Sequence, residues 1–93
     1  MDNATKEIMS ILQEECAEVV QAVSKINRFG LNGVHPRETK TNQAHLEEEL
    51  GDLLAMVELL ESKGIVTTTG LIAAKLAKIE KLKKWSTIYQ DQP

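Results

Sequence analysis

The sequence predicts a small all-α protein, a helical bundle of about three main helices that is completed by oligomerisation. Three observations lead to this prediction. Apolar residues recur three and four positions apart in three segments, and strand signals are poor. The chain has 93 residues, of which 42% are hydrophobic and only 3% aromatic, so its core is small and aliphatic. Because so short a chain hides only about 60–65% of its unfolded surface, we expect one domain over residues 1–93 that gains packing from a partner subunit.

The first predicted helix spans residues 5–27. Its apolar positions have the helical repeat, and they are Ile8, Ile11, Leu12, Cys16, Val19, Val20, Val23 and Ile26. Gly30 and Gly33 follow and are expected to end it, because glycine readily adopts the left-handed conformation that closes many helices. Residues 28–40 are expected to form a loop, in which Pro36 disfavours helical geometry at the preceding residue.

The second predicted helix spans residues 43–62, with Thr41 or Asn42 as its N-cap. Its apolar stripe consists of Leu46, Leu50, Leu53, Val57 and Leu60. Lys63 and Gly64 are expected to end it. A turn over residues 67–70 precedes the third predicted helix, residues 71–85, whose stripe consists of Leu71, Ile72, Leu76, Ile79 and Leu82. Residues 90–93 are expected to be loosely held.

The net charge of −3 hides two blocks of opposite sign. Residues 7–61 carry eleven acidic and four basic side chains, a balance of −7, whereas residues 75–84 carry five lysines and one glutamate, a balance of +4. This pattern suits a site that binds a metal and a phosphate together, or else two solvated faces that attract each other. The net charge argues against general affinity for nucleic acid or acidic membranes.

The composition of the chain indicates in which compartment of the cell the protein is expected. No run of eighteen apolar residues is present, so a membrane span is not expected. The first residues lack the basic start and apolar stretch of a signal peptide. A single cysteine fits a reducing compartment. We therefore expect a cytoplasmic protein.

Four carboxylates fall on or beside the packing faces of the first two helices. At about 100° per residue, Glu15 lies inside the apolar arc of the first helix and Glu18 at its border. On the second helix, Glu49 lies within the apolar arc and Asp52 at its edge. Packing the two helices together would bring these four carboxylates into one cleft.

Four clustered carboxylates require compensation, and a bound divalent cation supplies it. Ligands that are all oxygen favour a hard ion, so Mg²⁺, or Mn²⁺, is expected rather than zinc. Two alternatives remain at this point. The acids may only flank the stripes with their carboxylates in water, or Lys75 of the third helix may neutralise them.

The same acids form two short motifs. Glu14-Glu15-Cys16-Ala17-Glu18 reads EExxE, and Glu49-Leu50-Gly51-Asp52 reads ExxD. With both motifs in this order on two predicted helices, the chain resembles the MazG-type all-α nucleoside triphosphate pyrophosphohydrolases over about residues 8–85. The resemblance implies a Mg²⁺-dependent, house-cleaning hydrolase that converts a nucleoside triphosphate to the monophosphate and pyrophosphate. It also implies a homodimer or homotetramer.

The resemblance assigns roles by motif position. Glu15, Glu18, Glu49 and Asp52 would be metal ligands, and Glu14 would orient water or a second metal. Basic residues on the last helix would bind phosphates, for which the candidates are Lys75, Lys78 and Lys81. Lys25 and Arg28 are similar candidates at the lip of the cleft. The rival hypothesis is a non-catalytic helical dimerisation or interaction module, in which the acids recognise a partner.

Overall fold

A computed structural model describes residues 1–90 and confirms the all-α class. Its helices are α1 (Asn3–Phe29), α2 (Asn42–Ser62) and α3 (Thr68–Trp85). Internal contacts divide the chain into two compact units, Met1–Leu60 and Glu61–Pro93. The first unit contains α1 and nearly all of α2, and the second contains α3. The prediction of a single domain over residues 1–93 stays a prediction, and the expected loose tail falls mainly outside the described residues.

Helix α1 is two residues longer at each end than the periodicity predicts. The Asp2 side chain is its N-cap and accepts a hydrogen bond from Thr5 N at 2.7 Å, which satisfies a backbone donor that lacks a partner within the helix. Gly30 ends the helix with φ +82°, and its N–H donates to Ile26 O at 2.7 Å. A residue with a Cβ would be strained at this φ, so Gly30 is the stop that the sequence predicts.

The loop between α1 and α2 is tied back on itself. Val34 and Thr41 form an isolated antiparallel bridge, and Asn42 N donates to Gly33 O at 2.8 Å. Thr41 is the N-cap of α2, because its Oγ1 accepts from Ala44 N at 3.1 Å. Of the two predicted caps, Asn42 is instead the first residue of the helix. Its side chain is buried and donates to Gly30 O at 3.0 Å.

Helix α3 begins three residues earlier than predicted. Thr67 Oγ1 accepts from Gly70 N at 3.0 Å and caps the helix at Thr68. The predicted turn over residues 67–70 is therefore the N-cap and first turn of α3. A threonine and glycine run favours a turn by propensity, but one satisfied cap is enough to start a helix there.

Helices α1 and α2 pack through part of their predicted stripes. Of the predicted stripe residues, Ile8 and Leu60 are buried and others are half-buried; Ala22, which the prediction did not include, is buried as well. Those half-buried positions are Ile11, Leu12, Val19 and Ile26 on α1, and Leu46, Leu53 and Val57 on α2.

Several predicted stripe residues are exposed instead. Val20 is 65% exposed and Val23 41%, and Cys16, on the same side of α1, is exposed as well. On α2, Leu50 is 40% exposed although the periodicity places it in the stripe. The described residues of α3 include none that is fully buried. The periodicity thus identifies apolar positions correctly, but only some of these side chains are buried by other residues of the same chain.

Within residues 1–90, no helix combines the length and the apolar character needed to cross a membrane.

Candidate metal centre

Three of the four predicted metal ligands come together between α1 and α2. One carboxylate oxygen each from Glu15, Glu49 and Asp52 lies within 4.8 Å of the others. Helix α1 supplies Glu15, and α2 supplies the other two, which are three residues apart and therefore neighbours on one side of the helix. The antiparallel pairing within the unit Met1–Leu60 brings the two sets together.

The three carboxylates differ in exposure. Glu49 is 8% exposed, Glu15 is half-buried and Asp52 is exposed. This order follows their angular positions, since Glu15 and Glu49 fall within the apolar arcs and Asp52 at an edge. The cluster therefore extends from the helix interface to the solvent.

The electrostatics of the cluster are those of crowded like charges. Partial burial raises the pKa of Glu15, and the neighbouring carboxylates of Asp52 and Glu49 raise that pKa further. Glu18 and Glu14 contribute in the same direction, but less. Burial and adjacent negative charge both disfavour the ionised form. The ionised cluster is accordingly under electrostatic stress that a cation would relieve.

His45 is a member of this site that the sequence analysis did not identify. Its Nε2 lies 3.2 Å from Glu49 Oε1, and the ring is half-buried. The contact arises because the two residues are four apart on α2, where side chains are neighbours. The four-residue spacing of His45 and Glu49 could have indicated this contact from the sequence. When Nε2 carries a proton, it donates to Glu49 and fixes the orientation of that carboxylate.

The chemistry of this donor set fits a hard divalent cation. In the unit Met1–Leu60, none of the described lysines or arginines forms an ion pair with Glu15, Glu49 or Asp52. The ligand atoms are all carboxylate oxygens, which Mg²⁺ and Mn²⁺ prefer. The first of the two alternatives was that the carboxylates are solvated by water. This accounts for the exposed Asp52, but it does not explain the burial of Glu49.

Glu18 and Glu14 lie outside the group of three. Both are exposed, and they act on the cluster through their charge on Glu15. Glu18 is one helical turn from Glu15, so its carboxylate is available at the solvent side of the cluster. Its assignment as a ligand, and the role of Glu14, stay predictions.

The predicted phosphate-binding residues fall in two places. Lys25 lines a cavity near the end of α1, and the Arg28 guanidinium carbon lies 5.2 Å from the centre of the Phe29 ring. Ten and thirteen residues separate them from Glu15, about 15 and 20 Å along the helix axis. The other candidates, Lys75, Lys78 and Lys81, are exposed on α3 in the second unit.

Comparison with known proteins gives a match at the level of the family. The family model of the MazG nucleotide pyrophosphohydrolase domain matches residues 3–86. No curated protein and no solved structure gives a significant match. The matched range includes both acidic motifs and all three helices. The chain therefore belongs to the MazG nucleotide pyrophosphohydrolase domain family.

Proposed function

We propose that this protein hydrolyses a nucleoside or deoxynucleoside triphosphate to the monophosphate and pyrophosphate, with Mg²⁺ as the metal. The observation that carries the proposal is the cluster of Glu15, Glu49 and Asp52, whose oxygens lie within 4.8 Å of one another. The membership of the chain in the MazG family gives the reaction class. Within the first unit, the cluster has no lysine or arginine partner that would make it a purely structural ion-pair network.

The proposed reaction is attack of water on the α-phosphorus. The bond from the α-phosphorus to the bridging oxygen breaks, pyrophosphate leaves, and the proton of the water passes to a carboxylate. Glu15, Glu49 and Asp52 are the proposed holders of the cation, and His45 keeps Glu49 in place. Bound Mg²⁺ would supply neutralisation of the phosphate oxygens and a lower pKa of the water. Glu18 is a further proposed ligand at the solvent side of the cluster, and Glu14 is proposed to orient the water or a second metal. A carboxylate that the metal does not fully engage accepts the proton of the water.

A homodimer or homotetramer is part of this proposal. Apolar residues are exposed on each helix, and they include Val20 at 65%, Leu54 at 61% and Leu76 at 60%. A chain of this length hides too little of its own surface to build a large core, so it gains packing from a partner subunit. Association of copies would cover the exposed apolar side chains and complete the small core.

The lysines of α3, Lys75, Lys78 and Lys81, are proposed to bind phosphates, together with Lys25 and Arg28.

The test is release of pyrophosphate from a panel of nucleotides in the presence and absence of Mg²⁺. We expect Mg²⁺-dependent release from at least one nucleotide, and loss of at least about a hundredfold in kcat in Glu49→Gln and Asp52→Asn. Glu58→Gln is the matched control, because Glu58 is an exposed carboxylate of the same helix outside the cluster. Equal rates in Glu49→Gln and Glu58→Gln would contradict the assignment of the site.

The rival, a non-catalytic interaction module, makes a different prediction. A cation that binds only the folded state raises the melting temperature, by mass action. We expect millimolar Mg²⁺ or Mn²⁺ to raise the melting temperature of the wild type and of Glu58→Gln, but not that of Glu49→Gln. No shift in the wild type, together with no pyrophosphate release, would favour the interaction module.

A further inference from the structure

A polar pocket lies beside the metal centre, and the proposed function assigns it no role. Four consecutive residues of the loop after α1 line one side, and two residues near the start of α2 line the other; they are Arg37, Glu38, Thr39, Lys40, His45 and Glu48. All six side chains are polar or charged, and the four loop residues are exposed. A pocket of this kind suits a charged, hydrated group of a ligand rather than an apolar ring.

The pocket adjoins the acidic cluster through His45. This residue lines the pocket, and its Nε2 lies 3.2 Å from Oε1 of Glu49. Lys40 is close to the cluster as well. Its hydrogen bond to Glu48 and the charge of that carboxylate are the main causes that raise the pKa of Lys40, and Glu38 and Glu49 add to the rise. The pocket and the cluster both belong to the first compact unit.

The distance between the pocket and the cluster corresponds to one or two phosphate groups. His45 and Glu49 are four residues apart on α2, which is about 6 Å along the helix axis. In a nucleoside triphosphate, a single bridging oxygen joins each phosphorus atom to the next. When the α-phosphate is beside the carboxylates, the β- and γ-phosphates can therefore extend into the pocket.

Two cations of the pocket are available to bind phosphate. Within residues 1–90, Arg37 has no ion-pair partner, and its planar guanidinium can bind two phosphate oxygens at once. Lys40 pairs with Glu48, but the two side chains are 51% and 49% exposed. Such a pair contributes little to stability, so Lys40 can exchange the carboxylate for a phosphate at small cost.

The pocket also contains negative charge, which sets a condition for binding. Its two carboxylates, Glu38 and Glu48, offset its two permanent cations, so the free pocket has no net positive charge when His45 is neutral. A divalent cation at the neighbouring cluster would add the missing attraction. We therefore expect an anion to bind here together with the metal and only weakly without it.

We propose that Arg37 and Lys40 bind the β- and γ-phosphates of the substrate and thereby select triphosphates over diphosphates. This proposal rests on the proposed function for the reaction itself. When the bond from the α-phosphorus to the bridging oxygen breaks, its electron pair stays on that oxygen. The two cations then stabilise the charge of the departing pyrophosphate.

Binding is measured first, by isothermal titration calorimetry of the full-length chain with inorganic pyrophosphate and Mg²⁺. We expect at least about tenfold weaker binding in Arg37→Gln and in Lys40→Gln than in the wild type. Lys6→Gln is the matched control, because Lys6 is an exposed lysine of the same unit that lies outside the pocket. No binding by the wild type, or equal affinity in Lys40→Gln and Lys6→Gln, would overturn the proposal.

Glu48→Gln separates phosphate binding from a merely structural role of the ion pair. If Lys40 binds phosphate, removal of its competing carboxylate should leave the affinity for pyrophosphate unchanged or raise it, whereas Lys40→Gln lowers it. If the pair only holds the loop in place, both variants break the same contact and should weaken binding alike, which would contradict the proposal. Circular dichroism checks that both variants fold.

Hydrolysis is measured second, as KM for the best triphosphate of the nucleotide panel and as the inhibition constant of the corresponding diphosphate. We expect Lys40→Gln to raise KM at least about tenfold and the inhibition constant by less, because the diphosphate lacks the terminal phosphate. Equal increases would overturn the selection of triphosphates. Absence of hydrolysis with every nucleotide would contradict the proposed function, and the calorimetry would then decide the pocket independently.

Discussion

Replacement of Gly33 by alanine tests the packing on which the loop between α1 and α2 depends. A Cβ at this position would lie 2.7 Å from Phe29 O and 2.8 Å from Asn42 Nδ2, both closer than carbon tolerates. The backbone oxygen cannot move without disturbing the end of α1. Overpacking of this kind costs about 1–3 kcal/mol, and loss of the Asn42–Gly30 hydrogen bond adds about 1 kcal/mol. We therefore expect Gly33→Ala to lower the free energy of unfolding by about 2–4 kcal/mol.

Urea and thermal denaturation, followed by far-UV circular dichroism in metal-free buffer, measure this loss. For a chain of this size, each kcal/mol corresponds to about 4–8 °C, so the melting temperature should fall by about 8–32 °C. Gly51→Ala is the matched control, because Gly51 is exposed within α2 and a Cβ there meets no atom within 4 Å. Alanine in a helix interior should stabilise by about 0.5–1 kcal/mol. A Gly33→Ala midpoint equal to that of the wild type would refute the reasoning.

Three further predictions concern charge, capping and association. The pKa of Glu15 is raised in the folded state, so the folded protein loses stability as pH rises through that raised value. In metal-free buffer near about pH 8, Glu15→Gln should therefore have a higher melting temperature than the wild type. Near about pH 4, where Glu15 is largely protonated, the two melting temperatures should be similar. Thr67→Ala removes the N-cap of α3 and should cost about 1 kcal/mol in urea unfolding, with Thr69→Ala as the milder control. Cys16, exposed in the single chain, should react with a thiol reagent at low protein concentration and more slowly as copies associate, whereas a rate independent of concentration would exclude that face of α1 from the oligomer.

Helical geometry made much of the fold and of the acidic cluster predictable. The angular positions of Glu15 and Glu49 place both within apolar arcs, and the structure finds the first half-buried and the second buried. Residue preferences at helix ends also predicted the end of α1 at Gly30 and limited the N-cap of α2 to Thr41 or Asn42, of which Thr41 is the cap. These features depend on neighbours in sequence, which is why a single sequence reveals them.

Features that depend on tertiary contacts were not predictable in this way. Periodicity marks Val20 and Leu50 as apolar but says nothing about what covers them, and in this chain both are exposed. Cys16, which the periodicity places among the apolar positions of α1, is exposed for the same reason. The pocket beside the metal centre was missed because the loop that forms most of it has no periodicity. The position of that loop depends on the bond from Asn42 to Gly30, which joins residues twelve apart.

The gradation from the buried Glu49 to the exposed Asp52 has a consequence for how a cation would be held. Glu15, Glu49 and Asp52 lie at the solvent-exposed edge of the helix pair, so they would bind a cation from one side only and leave its other coordination positions open to solvent. Mg²⁺ held by these carboxylates would keep several of its water molecules, and phosphate oxygens could replace them. The affinity of the site for the ion alone would then be modest. A nucleotide that brings its own Mg²⁺ would supply the missing ligands through its phosphate oxygens.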